Sequence, residues 1–91
     1  MSFEHIPHGE ILKQTGIKLE SMRKAMRMSK VAVAEKSGIN RKTIERIEKG
    51  ENLSYDSLVR LLSVYGVLYR LDDLLEAPRI SPKDKYKQDH G

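Results

Sequence analysis

The chain predicts an all-α fold, and three observations carry that expectation. Apolar residues recur at helical spacing over residues 11–26 and 55–65. Side chains able to cap a helix stand before apolar stretches at Ser29, Asn40 and Ser54. Glycines close those stretches at Gly38, Gly50 and Gly66. With 91 residues there is room for one domain at most, and with no cysteine there are neither disulfide staples nor thiolate metal sites.

Residues 1–8 read as irregular, because Pro7 disfavours helix at Ile6. Phe3 and Ile6 are the apolar residues there that can fold back on a core. His5 and His8 are three apart, but two ligands without partners do not complete a metal site. From Gly9 to Met28 runs a helical stripe of Ile11, Leu12, Leu19, Met22, Ala25 and Met26. Thr15-Gly16 interrupts it, which leaves two readings: one long helix through Gly16, or a short helix at 9–14 before a main one at 16–27.

Residues 29–50 form two short helical patterns around a tight turn. The hydroxyl of Ser29 can accept an amide hydrogen of the opening turn, and Val31 and Ala34 follow three apart. Gly38 closes the first pattern in the left-handed conformation. Asn40 caps the second, a helix over 40–49 whose Ile44 and Ile47 share one face. After the loop 51–54, Ser54 caps a helix at 55–65 that buries Leu58, Leu61, Leu62 and Tyr65, with Asp56 favoured by the dipole of its first turn. A fifth pattern at 67–75 stops before Pro78. Residues 78–91 are polar and aperiodic, and read as a flexible basic tail.

The formal net charge is +4, and its distribution says more than its sum. Residues 15–50 carry 10 basic and 4 acidic residues, whereas residues 51–77 carry 2 basic and 5 acidic. Positive charge is concentrated around the paired short helices, the footprint of a nucleic-acid binder. Arg41 and Lys42 open the second short helix and Arg46 follows one turn later, so the three line a broad flank off the isoleucine face. A short helix with an apolar back and basic side chains near its N-terminus has the makings of a major-groove reader.

Residues 29–50 resemble the helix-turn-helix of the Cro and phage-repressor (XRE-like) superfamily. The matching residues are Ala34, Gly38, Ile44 and Ile47, with the phrase Ile47-Glu48-Lys49-Gly50. The resemblance implies a five-helix, lambda-repressor-like DNA-binding domain over 16–77, with residues 1–15 an N-terminal extension. It implies that Arg41, Lys42 and Arg46 face bases, with a preference for guanine, whose O6 and N7 accept from arginine and lysine. Ser29 and Lys30 would hold the DNA backbone, and Asn40 and Thr43 a phosphate or a thymine methyl. Many relatives carry glutamine where this chain has Lys30. Arg23 and Glu48 stand where the family has an arginine and a glutamate, which implies an ion pair between the first and third helices.

The phrase Leu71-Asp72-Asp73-Leu74-Leu75 matches the family's last helix, after a join from Gly66 longer than is common. That join resembles a subset of small regulators that includes antitoxins of kinase-like toxins. Val67, Leu68, Leu71, Leu74 and Leu75 make more apolar surface than one short helix readily hides, which points to a homodimer through this helix. The expected function is therefore a sequence-specific transcriptional regulator of double-stranded DNA, most simply a repressor. The alternative is an antitoxin that holds a toxin and also binds DNA.

Other classes find little support. No nucleophile–base pair, metal cluster or phosphate loop is present, so neither an enzyme nor a cofactor is expected. One Phe and four Tyr offer no evident stacking platform for RNA. No apolar run is long enough to span a bilayer and no secretory signal opens the chain, so a cytoplasmic protein is expected.

Overall fold

The computed structural model describes residues 4–51 and 53–77 and places five helices among them. These are α1 (His8–Ala25), α2 (Lys30–Ser37), α3 (Arg41–Glu48), α4 (Tyr55–Val64) and α5 (Leu68–Leu74), with no strand among the described residues. Phe3 and the expected tail at 78–91 lie outside them.

The helices pack in a chain of neighbours. α3 lies against both α1 and α2, α4 backs α2, and α5 rests on α4. Leu19, Val33, Ile39, Ile44, Ile47, Leu61 and Tyr65 form the core, with Met22, Met28, Leu58, Leu62 and Val67 packed around it. Each of α1 to α4 thus contributes one or two side chains to a common centre, as short helices must when none can bury its own face.

Of the two readings for the N-terminal stripe, the continuous helix holds. The Thr15 hydroxyl donates to the Ile11 carbonyl at 2.8 Å, the back-bond that lets a threonine sit inside a helix. Gly16 is there for contact, since a Cβ on it would lie 2.5 Å from the Ile47 oxygen and 2.6 Å from the Glu48 oxygen. A glycine mid-helix costs about 1 kcal/mol against alanine, and here it lets α1 press on the C-terminal end of α3. One turn earlier the fit is reciprocal. Gly50 has φ +91°, and a Cβ there would lie 2.7 Å from the Lys13 Cα. The expected division at residue 16 therefore falls inside α1, and Lys13 packs on the end of α3.

α1 ends on a residue of unusual backbone. Arg27 has φ 55°, its amide donates to the Lys24 carbonyl at 3.0 Å, and the next amide, of Met28, reaches back to Arg23 at 3.2 Å. This is a Schellman closure with arginine where glycine is customary.

Some inward positions differ from expectation. In α2 the buried valine is Val33, while Val31 is half exposed. The two are 200° apart on a helix, so only one can face the core. Leu12 and Ala25 of α1 and Met26 just after it are exposed, and the inward line of α1 runs through Gly16, Leu19 and Arg23. Leu71 turns inward and Val67 is half-buried against the core, which leaves Leu68, Leu74 and Leu75 on the surface.

Candidate nucleic-acid interface

The two short helices are held at their ends by the side chains that open them. Ser29 Oγ accepts from the Ala32 amide at 3.1 Å, and Asn40 Oδ1 accepts from the Lys42 amide at 2.8 Å. These caps do not exhaust either side chain, because the Ser29 hydroxyl retains its proton and the Asn40 amide its two N–H donors. Between the helices, Gly38 closes α2 with φ 76° and its amide donates to the Ala34 carbonyl. The buried Ser37 Oγ accepts from the Ile39 amide at 3.1 Å, which turns Ile39 into the core.

Arg60 fastens this turn from α4. Its Nη1 donates to the Ser37 carbonyl at 3.1 Å while Asp56 holds its Nε at 2.9 Å. Sequence reasoning missed Arg60. Its spacing of four from Asp56 is the signal that could have drawn notice to it.

α3 is strongly two-sided. Ile44 and Ile47 are buried to within 1%. Lys42 and Arg46 stand roughly opposite them and are exposed. Arg41 occupies one shoulder, also exposed, and Thr43 the other, half-buried. Lys30, at the start of α2, comes to the Arg41 shoulder. The residue that joins them is Glu45, whose Oε1 lies 3.8 Å from Arg41 Nε and 3.9 Å from Lys30 Nζ. Glu45 was not among the residues singled out from the sequence, although it too stands four after Arg41. Arg41 and Lys30 thus meet through Glu45 on one shoulder of α3, and Lys42 and Arg46 are exposed on its outer side, with Ser29 and Asn40 at the two helix starts.

Behind these side chains, α1 holds α3 by a charged clamp. Arg23 Nε donates to Glu48 Oε2 at 2.8 Å and Nη2 to Glu48 Oε1 at 3.2 Å, the two-pronged match of guanidinium and carboxylate. A third bond runs from Arg23 Nη1 to the Met28 carbonyl at 3.0 Å, which ties the loop before α2 into the same group. The side chains are 10% and 6% exposed, so this is a buried pair. The hydrogen bond to Glu48 raises the Arg23 pKa above its ordinary value, against the lowering effect of burial. The Tyr65 hydroxyl lies within the electrostatic reach of both residues. Burial, and secondarily the Glu48 charge, push it up to about 12. It is buried without a hydrogen-bonding partner among the described residues.

Among the described residues, no group of three or more His, Cys, Asp or Glu side chains is placed to hold a metal ion. Among those residues also, no helix is long and apolar enough to cross a membrane.

A short helix with a basic outer ridge, capped and set at a fixed turn behind a second short helix, defines a DNA-binding helix-turn-helix domain. The helix-turn-helix family model HTH_3 matches residues 19–82, and the chain belongs to this Cro/C1-type family of DNA-binding regulators. Comparison with curated proteins and with solved structures gives no match. The family match begins within α1, so the first turns of that helix are outside it.

Proposed function

We propose that the protein is a transcriptional repressor that reads double-stranded DNA in the major groove with α3, as a homodimer. The observation that carries this reading is the exposed ridge of Arg41, Lys42 and Arg46 on a helix whose back is clamped by Arg23 and Glu48. Arginine and lysine donate to guanine O6 and N7, so half-sites with guanine are preferred. Lys30, the Ser29 hydroxyl, the Asn40 amide and Thr43 hold the flanking phosphates and set the register. The charge on Lys30 makes that hold salt-sensitive.

The dimer is built on α5. Leu68, Leu74 and Leu75 are 39%, 74% and 65% exposed, and Leu68 and Leu75 line a shallow groove with Tyr55, Val59, Leu71 and Asp72. Burying such a surface against its own copy around a two-fold axis brings two copies of α3 to successive turns of the groove, about 34 Å apart. Binding-site selection from random duplexes, paired with sedimentation of the protein with and without the selected DNA, tests both parts. A palindromic guanine-containing site bound by two chains is expected. A set of recovered duplexes without a shared sequence would sink the reading.

The same exposed leucines also favour a second reading, in which the surface seats a different protein. An antitoxin that neutralises a kinase-like toxin and regulates its own gene would use α3 and α5 for separate partners. Recovery of a stable complex with such a kinase, in place of a homodimer, would decide for it. In either role the protein works in the cytoplasm.

A further inference from the structure

Glu45 is an acidic side chain set into a basic ridge. Its side chain is 34% exposed, and a single oxygen, Oε1, faces both Arg41 Nε at 3.8 Å and Lys30 Nζ at 3.9 Å. A carboxylate here opposes the approach of phosphate, so it works against affinity for DNA as such. What it offers in return follows from which nitrogen it faces. A guanidinium steadied through Nε presents its two terminal nitrogens as a fork, the geometry that bonds guanine O6 and N7 together.

From this arrangement, and resting on the proposed role of α3 in DNA reading, we infer that Glu45 is a positioning residue that sets sequence selectivity. It aims Arg41 at a guanine and draws Lys30 back from indiscriminate phosphate contact. On a matching site Arg41 keeps Glu45 on Nε while its terminal nitrogens meet the base, and Lys30 is released to the backbone. The Lys30–Glu45 attraction is lost on either site, so the difference between them comes from the Arg41 fork, which finds its base only on the matching one. Glu45 thus lowers binding to all DNA and lowers it least at the right sequence.

The test compares the wild-type protein with Glu45→Gln, Arg41→Ala and the double variant. Each is titrated by fluorescence anisotropy against the selected duplex, the same duplex changed at the Arg41 base pair, and a scrambled duplex. Glu45→Gln is expected to bind the scrambled duplex about tenfold more tightly and to lose about tenfold of its discrimination at that base pair. In the Arg41→Ala background, the Glu45 change is expected to leave discrimination at that pair unaltered, a dependence that a merely structural role would not produce. Unchanged thermal melts confirm that the partly exposed site tolerates the substitutions. If the wild type prefers the selected duplex and Glu45→Gln keeps the full preference, this inference is overturned while the reading of α3 stands. If the wild type shows no preference among the duplexes, the reading of α3 fails and this inference with it.

Discussion

Arg23 and Glu48, 25 residues apart in the chain, meet through two hydrogen bonds of 2.8 and 3.2 Å between α1 and α3. Both side chains are nearly withdrawn from solvent. Such a pair gains little net stability over a well-packed apolar replacement, but breaking it leaves one charge buried and alone. Arg23→Ala and Glu48→Ala are each expected to cost about 3–5 kcal/mol in urea unfolding. Arg23→Lys is expected to recover only part of that loss, because an ammonium has no second prong for the carboxylate. A loss under 1 kcal/mol for either alanine variant would mean that the clamp does not hold α3.

Gly16 allows a test in which local propensity and packing pull in opposite directions. In an exposed helix, glycine to alanine stabilises by up to about 1 kcal/mol. Gly9, also in α1, has open space where a Cβ would go, and Gly9→Ala is expected to follow that rule with a small gain. A Cβ on Gly16 would meet the carbonyls of Ile47 and Glu48 well inside contact distance. Gly16→Ala is therefore expected to destabilise by about 1–3 kcal/mol, since backbone must shift to admit it. Thermal melts of the two variants, run together, should move in opposite directions.

These residues mark how far the sequence could be read. The helices and their caps were legible because caps, stops and spacing are local signals, as at Ser29, Asn40 and Ser54. The partnership of Arg23 with Glu48 was implied by matched family positions, since nothing local joins residues so far apart. The role of Gly16 was not legible, because it depends on where the carbonyls of another helix arrive. Nor could the sequence say which of Val31 and Val33 faces inward, since an eight-residue helix has too little periodicity to choose. Glu45 escaped for a different reason. A search for basic side chains passes over the carboxylate that holds two of them.

Tyr65 makes stability depend on alkaline pH. Its folded pKa of about 12 lies above the ordinary 10.0, so the native state keeps its proton where the unfolded chain has lost it. Stability from this group is complete below pH 10 and declines as pH rises from 10 toward 12, by up to about 3 kcal/mol. Tyr65→Phe is expected to flatten that part of the profile. At pH 7 the substitution should change stability by less than about 1 kcal/mol, because the hydroxyl it removes bonds to no described group. Urea midpoints at pH 8, 10 and 11.5 for the two proteins check this, and parallel profiles would rule it out.

The roles proposed for Arg41 and Lys30 separate in two different measurements. If Arg41 bonds a guanine, Arg41→Ala should lose roughly 1–3 kcal/mol on the selected site and nothing comparable on a site altered at that one base pair. If Lys30 holds phosphate, Lys30→Ala should weaken every duplex alike and reduce the slope of log affinity against log salt by about 1. The structure sharpens the second expectation, because Lys30 shares Glu45 with Arg41. Removing Lys30 leaves that carboxylate to Arg41 alone, so discrimination at the Arg41 base pair is expected to hold as overall affinity falls. A Lys30→Ala protein that lost affinity only at the selected sequence would move Lys30 from the backbone to the bases and require a different docking of α2.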